Sequence, residues 1–195
     1  MSAGEKLVVN TPFRDWLMRG EIAAFRRLAD LPPGATVLDM GCGRGSSVRL
    51  ILKTFRPARV VAFDIDSTLI DQARRRLAPL LGETVELHVA DATRLPFGDE
   101  EFDAAFELGM LHHVPDWRAA LRETARVLKP GGIFYFGEPS YGRLHRGLYR
   151  LAGHGKGAGF SGDELRLALV EAGLKPVECF RRTPLWDLVG VARRK

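Results

Sequence analysis

Short runs of apolar and β-branched residues alternate along the chain with longer stretches in which apolar residues recur at helical spacing. A short bounded apolar run is typical of a buried strand, whereas recurrence every three to four residues is typical of an amphipathic helix. Their alternation indicates βαβ units and a parallel sheet. Strands are predicted at 35–40, 60–63, 85–89, 102–108, 133–136, 176–180 and 188–192.

Capping and helix-breaking residues place the predicted helices between these strands. Pro12 suits the first turn of a helix that Thr11 would cap, and Gly20 is expected to break that helix. Ser67 is the expected N-cap of the helix after the second strand. Residues 129–132, with the sequence Lys-Pro-Gly-Gly, are expected to close a later helix. Further helices are predicted at 45–55, at 117–128 and from 160–164 to about residue 173.

Length and composition favour one globular domain. The chain has 195 residues, of which 46% are apolar and 27% are charged, and about 150 residues per domain is usual. We therefore expect residues 1–195 to form a single domain, with residues 1–30 as a helical cap. Residues 139–160 are rich in glycine and weakly patterned, which predicts a lid or a segment on the substrate side.

Cysteine usage and hydropathy indicate a cytoplasmic protein. Cys42 and Cys179 are too few for a disulfide framework. No apolar run approaches the ~20 residues that span a bilayer, so no membrane span is expected. Residues 1–10 lack the apolar core that is typical of a secretory signal.

The net charge of +5 is unevenly distributed. Residues 143–195 contain 11 Lys and Arg against 5 Asp and Glu, whereas residues 1–142 contain 18 against 19. A basic excess of this kind suits a solvated face, an acidic partner or nucleic acid. Nucleic acid is not favoured as a partner, because the arginines are scattered and are not interleaved with aromatic residues.

The most informative stretch is a glycine loop that directly follows the first predicted strand. Gly41, Gly43 and Gly45 have G-x-G-x-G spacing, and Ser46 occupies the position of the third glycine of a dinucleotide fingerprint. Glycines at this place let a ligand approach the backbone closely. Asp39, two residues before the loop, would repel a pyrophosphate but could hold an ammonium group. S-adenosylmethionine carries such a group and no phosphate.

Two further acids follow the next two predicted strands, where an adenosine would need them. Asp64 ends the second strand, and a carboxylate there can accept hydrogen bonds from both ribose hydroxyls. Asp91 follows the third strand and is placed to accept from the adenine amino group. Aspartate is also common at strand ends as a turn former, but three acids beside one glycine loop favour a ligand site.

Five segments carry a resemblance to a known family: 37–45 (VLDMGCGRG), 62–66 (AFDID), 91–92 (DA), 102–114 (FDAAFELGMLHHV) and 127–132 (VLKPGG). The chain resembles the class I S-adenosylmethionine-dependent methyltransferases, above all the small-molecule branch that includes the quinone-biosynthesis C-methyltransferases. The resemblance implies an α/β fold with a Rossmann-like, seven-stranded, mostly parallel sheet and helices on both faces. It implies strand order 3-2-1-4-5-7-6, with strand 7 antiparallel.

The resemblance also implies the cofactor S-adenosylmethionine, no metal, and a set of cofactor-binding residues. Cys42 is interpreted mainly as a packing residue within the glycine loop. The residues implied are Asp39, Gly41, Cys42, Gly43, Gly45, Glu107 and Leu108 around the methionyl part, Asp64 at the ribose, and Ile65, Asp91 and Ala92 at the adenine.

Catalytic residues are less clearly indicated, because methyl transfer needs chiefly that the acceptor be held ~3–3.5 Å from the methyl group. A general base is required only when the acceptor is protonated. His112, after the fourth strand, and Glu138, after the fifth, are the candidates for that role. Either could instead have a structural role, His112 by capping a turn and Glu138 by pairing with an arginine.

Transfer of a methyl group to a small-molecule acceptor is the function that the sequence favours. The short chain favours a compact acceptor or a second copy of the chain that completes the site as a homodimer. Two alternatives stay open: an RNA or protein methyltransferase, suggested by the basic C-terminal quarter, and a non-catalytic module that binds the cofactor.

Overall fold

The computed structural model describes residues 12–138, 160–179 and 188–195. Their strands form one sheet in the order β3-β2-β1-β4-β5-β7-β6. β1 to β5 are parallel, and β7 pairs antiparallel with both β5 and β6. The predicted fold class and strand order are confirmed. The strands are β1 Thr36–Met40, β2 Arg59–Asp64, β3 Val85–Val89, β4 Phe102–Leu108, β5 Leu128–Glu138, β6 Leu174–Cys179 and β7 Leu188–Arg194.

Helices cover both faces of the sheet. The helices are α1 Pro12–Leu28, α2 Ser46–Phe55, α3 Ser67–Leu77, α4 Trp117–Val127 and α5 Gly162–Glu171. The first three pack on one face around one apolar core, and α4 and α5 pack on the other face around a second core. No helix within the described residues is long and apolar enough to cross a membrane.

Residues of β2 show why the sheet needs both layers. Val60 and Ala62 contribute to the core beneath α1, α2 and α3, whereas Val61 and Phe63 contribute to the core beneath α4 and α5. Side chains alternate between the two faces of a strand. A continuous apolar run therefore needs cover on both sides, as in other parallel sheets.

Two expectations about helix ends are wrong. Gly20 does not break α1, which runs unbroken to Leu28. An internal glycine costs a helix only about 1 kcal/mol relative to alanine, and burial of Ile22 and Phe25 against the core offsets that cost. Ser67 is not the N-cap of α3, because the carboxylate of Asp66 accepts from the backbone N–H of Thr68 at 2.9 Å.

The start of β5 also differs from the prediction. Residues 129–132 follow the end of α4 at Val127, as predicted. They also lie inside β5, which pairs with β4 from Leu128 onward and shifts register between Phe102 and Ala104. Gly131 has φ +75°, and a Cβ on Gly132 would lie 2.8 Å from the carbonyl oxygen of Lys129. The two glycines therefore form a bulge within the strand, shortly after the end of α4.

The remaining predicted elements agree with the structure to within about two residues at their ends, as is usual for such boundaries. Several expectations lie outside the described residues: Thr11 as a cap, residues 139–159 of the predicted lid, and residue 180 of the predicted sixth strand.

The order of the strands fixes where a ligand can bind. β1 lies at the centre, with β2 on one side and β4 on the other. The chain connections run in opposite directions from this point, so a crevice opens at the carboxyl ends of β1 and β4. Asp39, Asp64 and Glu107 all lie at this edge of the sheet.

Candidate active site

A cavity of about 490 Å³ opens at the carboxyl ends of β1, β2, β3 and β4. Such crevices are the usual ligand sites of open α/β sheets. Most residues of the predicted cofactor set line it: Gly41, Cys42, Gly43, Asp64, Ile65, Asp91, Ala92 and Leu108. The other three predicted residues, Asp39, Gly45 and Glu107, lie beneath or beside its wall.

The glycines of the loop have different structural reasons to be glycine. Gly43 has φ +54°, and a Cβ there would enter open space at the cavity. Gly45 has φ +82°, and its Cβ would lie 2.7 Å from Cδ1 of Leu77 on α3. Gly43 therefore leaves room for a ligand, whereas Gly45 allows α3 to pack closely against the loop.

Cys42 connects the glycine loop to the sheet. Its backbone N–H donates to the carbonyl oxygen of Phe63 at 2.9 Å, and its side chain is buried. Burial raises the pKa of the Cys42 thiol well above its usual value, and the negative charges of Asp39 and Asp64 add to the effect. Because a thiol needs a lowered pKa to act as a nucleophile, the packing interpretation of Cys42 is the better one.

Asp64 has the geometry of a ligand-binding carboxylate. Its Oδ2 accepts from the N–H of Gly43 and its Oδ1 from the N–H of Asp66, both at 2.9 Å. Each carboxylate oxygen can accept more than one hydrogen bond, so acceptor capacity remains toward the cavity. Burial raises the pKa of Asp64, and the two backbone hydrogen bonds oppose that rise.

Next to Asp64, the wall of the cavity combines an apolar surface with a second carboxylate. Ile65 is 72% exposed although it lines the cavity, so it offers an uncovered apolar face suited to a flat ring. Asp91 accepts from the N–H and the hydroxyl of Thr93 through Oδ1, both at 2.8 Å. These two bonds fix the orientation of the Asp91 carboxylate beside the buried Ala92.

Asp39 lies under the glycine loop and not among the described residues that line the cavity. It is 1% exposed, and its Oδ2 accepts from the hydroxyl of Ser47 at 2.5 Å. Burial raises the pKa of Asp39 to about 7, although the Ser47 hydrogen bond lowers it, and the charges of Asp64 and Glu107 raise it further. Sequence reasoning missed Ser47, which carries no signal of its own in the first turn of α2.

Glu107 is also buried, and it organises the turn that follows β4. Its Oε1 accepts from the backbone N–H of Met110 and, at 3.3 Å, from that of Leu111. Burial raises the pKa of Glu107 well above its usual value, and the neighbouring Glu138 carboxyl raises it further. Glu107 thus supports the wall formed by Leu108 and Met110 from below, and its own side chain is not part of that wall.

The two predicted catalytic residues contact each other. His112 Nδ1 lies 2.7 Å from Glu138 Oε2, and both side chains are buried behind the cavity wall. His113 lines the cavity instead, and its ring centroid lies 3.9 Å from that of His112. The order in the sequence could not tell which of two adjacent histidines reaches the cavity, because a short 3₁₀ turn, Leu111–His113, decides it.

Residues that the sequence did not single out complete the cavity. Met18 of α1 contributes from the helical cap, and Met110 and Val114 contribute apolar surface near His113. Because these are ordinary apolar residues in loops and a helix, only the folded chain reveals their shared location. Within the described residues no group of three or more His, Cys, Asp and Glu could hold a metal ion.

The polar groups that line the cavity fit S-adenosylmethionine. Asp64, Asp91 and Asp116 contribute carboxylates, which accept from hydroxyl and amino groups, and Arg44 contributes a guanidinium. Open space beside Gly43 provides room against the backbone. A family described as "Methyltransferase domain" matches residues 38–136, about half of the chain.

The chain belongs to this methyltransferase domain family. Its cofactor is S-adenosylmethionine, as the sequence predicted. The chain is 36% identical to the 27-O-demethylrifamycin SV methyltransferase of Amycolatopsis mediterranei over 160 residues, which cover 77% of this chain and 58% of that relative. It is 38% identical to the demethylmenaquinone methyltransferase of Clavibacter sepedonicus over 136 residues, which cover 67% and 54%.

A solved structure shows the same fold. A SAM-dependent methyltransferase from Aquifex aeolicus matches with a TM-score of 0.75 at 19% identity, and the match covers 99% of this chain and 97% of that chain. The chain spans only 33% to 63% of the length of the first curated relatives that it matches.

Proposed function

We propose that this methyltransferase domain transfers a methyl group from S-adenosylmethionine to a small-molecule acceptor and yields S-adenosylhomocysteine. When bound, the cofactor supplies an electrophilic methyl group on a sulfonium sulfur. The observation that carries the proposal is one cavity that is lined both by the carboxylates of Asp64 and Asp91 and by apolar side chains beside the imidazole of His113.

The order of the strands supports the assignment of cofactor residues. Asp91 follows β3 and Asp64 ends β2, while Asp39 and Glu107 lie on β1 and β4. Adenine, ribose and methionyl part are joined in this same order in the cofactor. Asp91 would accept from the adenine amino group, Asp64 would accept from the ribose hydroxyls, and Ile65 would pack on the ring.

The apolar end of the cavity supports a small, largely apolar acceptor. Met18, Met110 and Val114 surround this part of the cavity near His113. Such a lining binds ligands by burial of apolar surface, with a few polar groups to orient them. The relatives named for demethylrifamycin and demethylmenaquinone point to the same class of acceptor.

His113 is our proposed contact to an acceptor proton, with His112 and Glu138 behind it. The Glu138 carboxyl holds the His112 ring at 2.7 Å, and the two imidazole centroids are 3.9 Å apart. An imidazole at the cavity surface can accept a proton from a phenol or an activated carbon near neutral pH. Neither His112 nor Glu138 is among the described residues that line the cavity. They would act by orienting His113 through the contact between the two imidazole rings.

A screen that follows S-adenosylhomocysteine release tests the proposed function. Hydroquinones, other phenols and carboxylic acids are supplied with S-adenosylmethionine to the full chain and, as a matched control, to Asp64→Ala. We expect at least one acceptor class to raise product release well above background, and the control to release far less at a cofactor concentration near the parent Kd.

The screen includes total RNA and a basic protein, because the basic C-terminal quarter keeps those acceptors open. Release with RNA alone that falls steeply with salt would favour the nucleic-acid alternative. In the described residues Arg193 donates to the carbonyl of Gly131 and Arg194 lies 3.1 Å from Glu100, so part of this basic excess is engaged within the chain. Cofactor binding with no turnover of any acceptor would favour a non-catalytic module.

We also propose a cytoplasmic location and a homodimer. Cys42 is a free, buried thiol, which suits a reducing compartment. A second copy could complete the acceptor side of the cavity, and light scattering at increasing concentration tests this. A single species at the mass of one chain would contradict the homodimer.

A further inference from the structure

Three carboxyl groups lie buried at the ends of neighbouring strands, under the cavity. Asp39 on β1 is 1% exposed, and Glu107 on β4 and Glu138 on β5 are 0% exposed. They form a floor because the next residues along the chain enter the wall above them. Cys42 lies shortly after Asp39, and Leu108 directly follows Glu107. A ligand at this end of the cavity therefore lies above several buried acids.

The surroundings of Asp39 contain further acidic groups. Asp64 on β2 and Glu107 on β4 both act on Asp39 by repulsion, and the thiol of Cys42 lies near it. The group that stabilises its charge is the hydroxyl of Ser47 on α2, at 2.5 Å. No cation is among the groups that shift the pKa of Asp39 to about 7. A buried carboxyl in such surroundings keeps its proton more firmly than an exposed one.

The surroundings of Glu107 are similar. The Glu138 carboxyl lies within hydrogen-bonding reach and raises the pKa of Glu107, whereas the His112 ring lowers it. His112 is itself 2.7 Å from Glu138, so the same ring interacts with both carboxyl groups. Oε2 of Glu107 is buried and receives no hydrogen bond from the described residues. A proton shared with Glu138 would give that oxygen the donor that it lacks.

Three buried carboxyl groups therefore lie close together on one side of the sheet edge. Glu107 and Glu138 share one imidazole neighbour, His112, whereas Asp39 lies near Asp64 and Glu107. Burying several like charges is costly unless some are neutralised. S-adenosylmethionine and S-adenosylhomocysteine differ by one methyl group and by the positive charge of the sulfonium. A cation above these acids would stabilise their ionised forms and displace their protons.

We infer that Asp39 and Glu107 hold protons in the cofactor-free chain and that binding of S-adenosylmethionine releases some of these protons. The preference of the chain for S-adenosylmethionine over S-adenosylhomocysteine, which lacks the sulfonium charge, therefore increases as pH rises. The inference rests on the proposed function, because it places the methionyl part above β1 and β4. Protons released on binding make affinity increase with pH. The product lacks the sulfonium charge, so its affinity follows pH less steeply.

Calorimetry on the full chain tests the inference. S-adenosylmethionine and S-adenosylhomocysteine are titrated at pH 6, 7 and 8, each in two buffers with different heats of ionisation. We expect more protons to be released with S-adenosylmethionine than with S-adenosylhomocysteine at pH 7. We also expect the ratio of the two Kd values to shift toward S-adenosylmethionine by about 3- to 10-fold from pH 6 to 8, since one fully linked proton changes Kd by at most about tenfold per pH unit.

Glu107→Gln is the matched variant. Its amide oxygen can still accept from the N–H groups of Met110 and Leu111, but the side chain no longer ionises. We expect the difference in proton release between the two ligands to shrink and the Kd ratio to become flatter with pH. Glu86→Gln, on β3 and away from the cavity, is the control and should behave like the parent chain.

Three results would decide against the inference or the function beneath it. Equal proton release with both ligands, or a Kd ratio independent of pH, would overturn the inference. This test needs only the parent chain, so it can be made even if Glu107→Gln does not fold. A Glu107→Gln variant that keeps the parent's full difference in proton release would exclude Glu107 as a proton carrier. Absence of cofactor binding would instead overturn the proposed function.

Discussion

The two groups of acids at the sheet edge show how one residue type can have two functions. On the β2 and β3 side, Asp64 and Asp91 line the cavity, and backbone or hydroxyl donors fix their carboxylates. On the β1, β4 and β5 side, Asp39, Glu107 and Glu138 are buried and face one another. The first group can accept hydrogen bonds from a ligand, whereas the second holds protons and supports the wall.

The difference between the two groups follows from neighbours and burial. Asp64 is half-buried and Asp91 is exposed, and backbone or hydroxyl donors stabilise both carboxylates, so both are available for recognition. Buried carboxylates near other acids are costly to ionise, so the ligand must supply part of the compensating charge. Substitutions in the cavity group, Asp64 and Asp91, should therefore weaken cofactor binding. Substitutions in the buried group, Asp39, Glu107 and Glu138, should change stability and its dependence on pH.

The largest effect is expected from Glu138→Ala, which breaks the buried group. The substitution leaves the His112 ring buried without the carboxylate 2.7 Å away, and removing one partner of a buried pair costs about 3–5 kcal/mol of stability. Urea unfolding should show this loss, and Glu138→Gln should lose less because it keeps an acceptor. Unchanged stability of Glu138→Ala would mean that the contact has no structural role.

Next in size is the pH dependence of stability that Asp39 causes. Burial raises the pKa of Asp39 from 3.8 to about 7 in the folded chain, so the folded state binds more protons than the unfolded state between these values. Stability without cofactor should therefore fall as pH rises through this window, by at most ~1.4 kcal/mol per pH unit. Asp39→Asn should flatten the curve in urea unfolding at pH 5, 6 and 7. Parallel curves for the two proteins would contradict the assignment.

In the cavity group, Asp64→Ala should weaken cofactor binding without unfolding the chain. Hydrogen bonds to a charged group contribute about 1.5–3 kcal/mol, which is about 10- to 150-fold in Kd at ~1.4 kcal/mol per decade. Calorimetry with S-adenosylhomocysteine measures the effect, and a thermal melt checks the fold. A variant that binds as tightly as the parent would make Asp64 a turn residue only.

The smallest effect is expected from Asp91→Ala. Asp91 is exposed and already accepts two hydrogen bonds from Thr93, so its loss should cost binding about 0.5–1.5 kcal/mol. This corresponds to about 2- to 12-fold in Kd. A larger loss than that of Asp64→Ala would reverse the assignment of ribose and adenine ends.

Most of the fold was predictable because its signals are local and repeated. β3 Val85–Val89 and β4 Phe102–Leu108 have the predicted bounds, since each is a short segment of mainly apolar positions between turn residues. The errors at Gly20, at Ser67 and at the start of β5 share another cause. In each case tertiary packing, or a competing residue one position away, outweighed a local propensity.

The site was predictable to the extent that it depends on backbone order. Asp64 ends β2 and Asp91 follows β3, so the sequence alone brought them to one edge of the sheet. Asp39 and Glu107 lie within β1 and β4, and only the folded chain shows that their side chains are buried beneath the cavity. The same limit applies to His112 and His113, where one 3₁₀ turn decides which ring faces the cavity.

One measurement tests whether this cavity binds S-adenosylmethionine through the carboxylates that line it and discriminates against a dinucleotide. Calorimetry of the full chain with S-adenosylmethionine, S-adenosylhomocysteine and NAD compares the three ligands under identical conditions. We expect saturable binding of the first two ligands, weaker binding of both in Asp64→Ala, and no binding of NAD. Tight binding of NAD without binding of S-adenosylmethionine would contradict the proposed site.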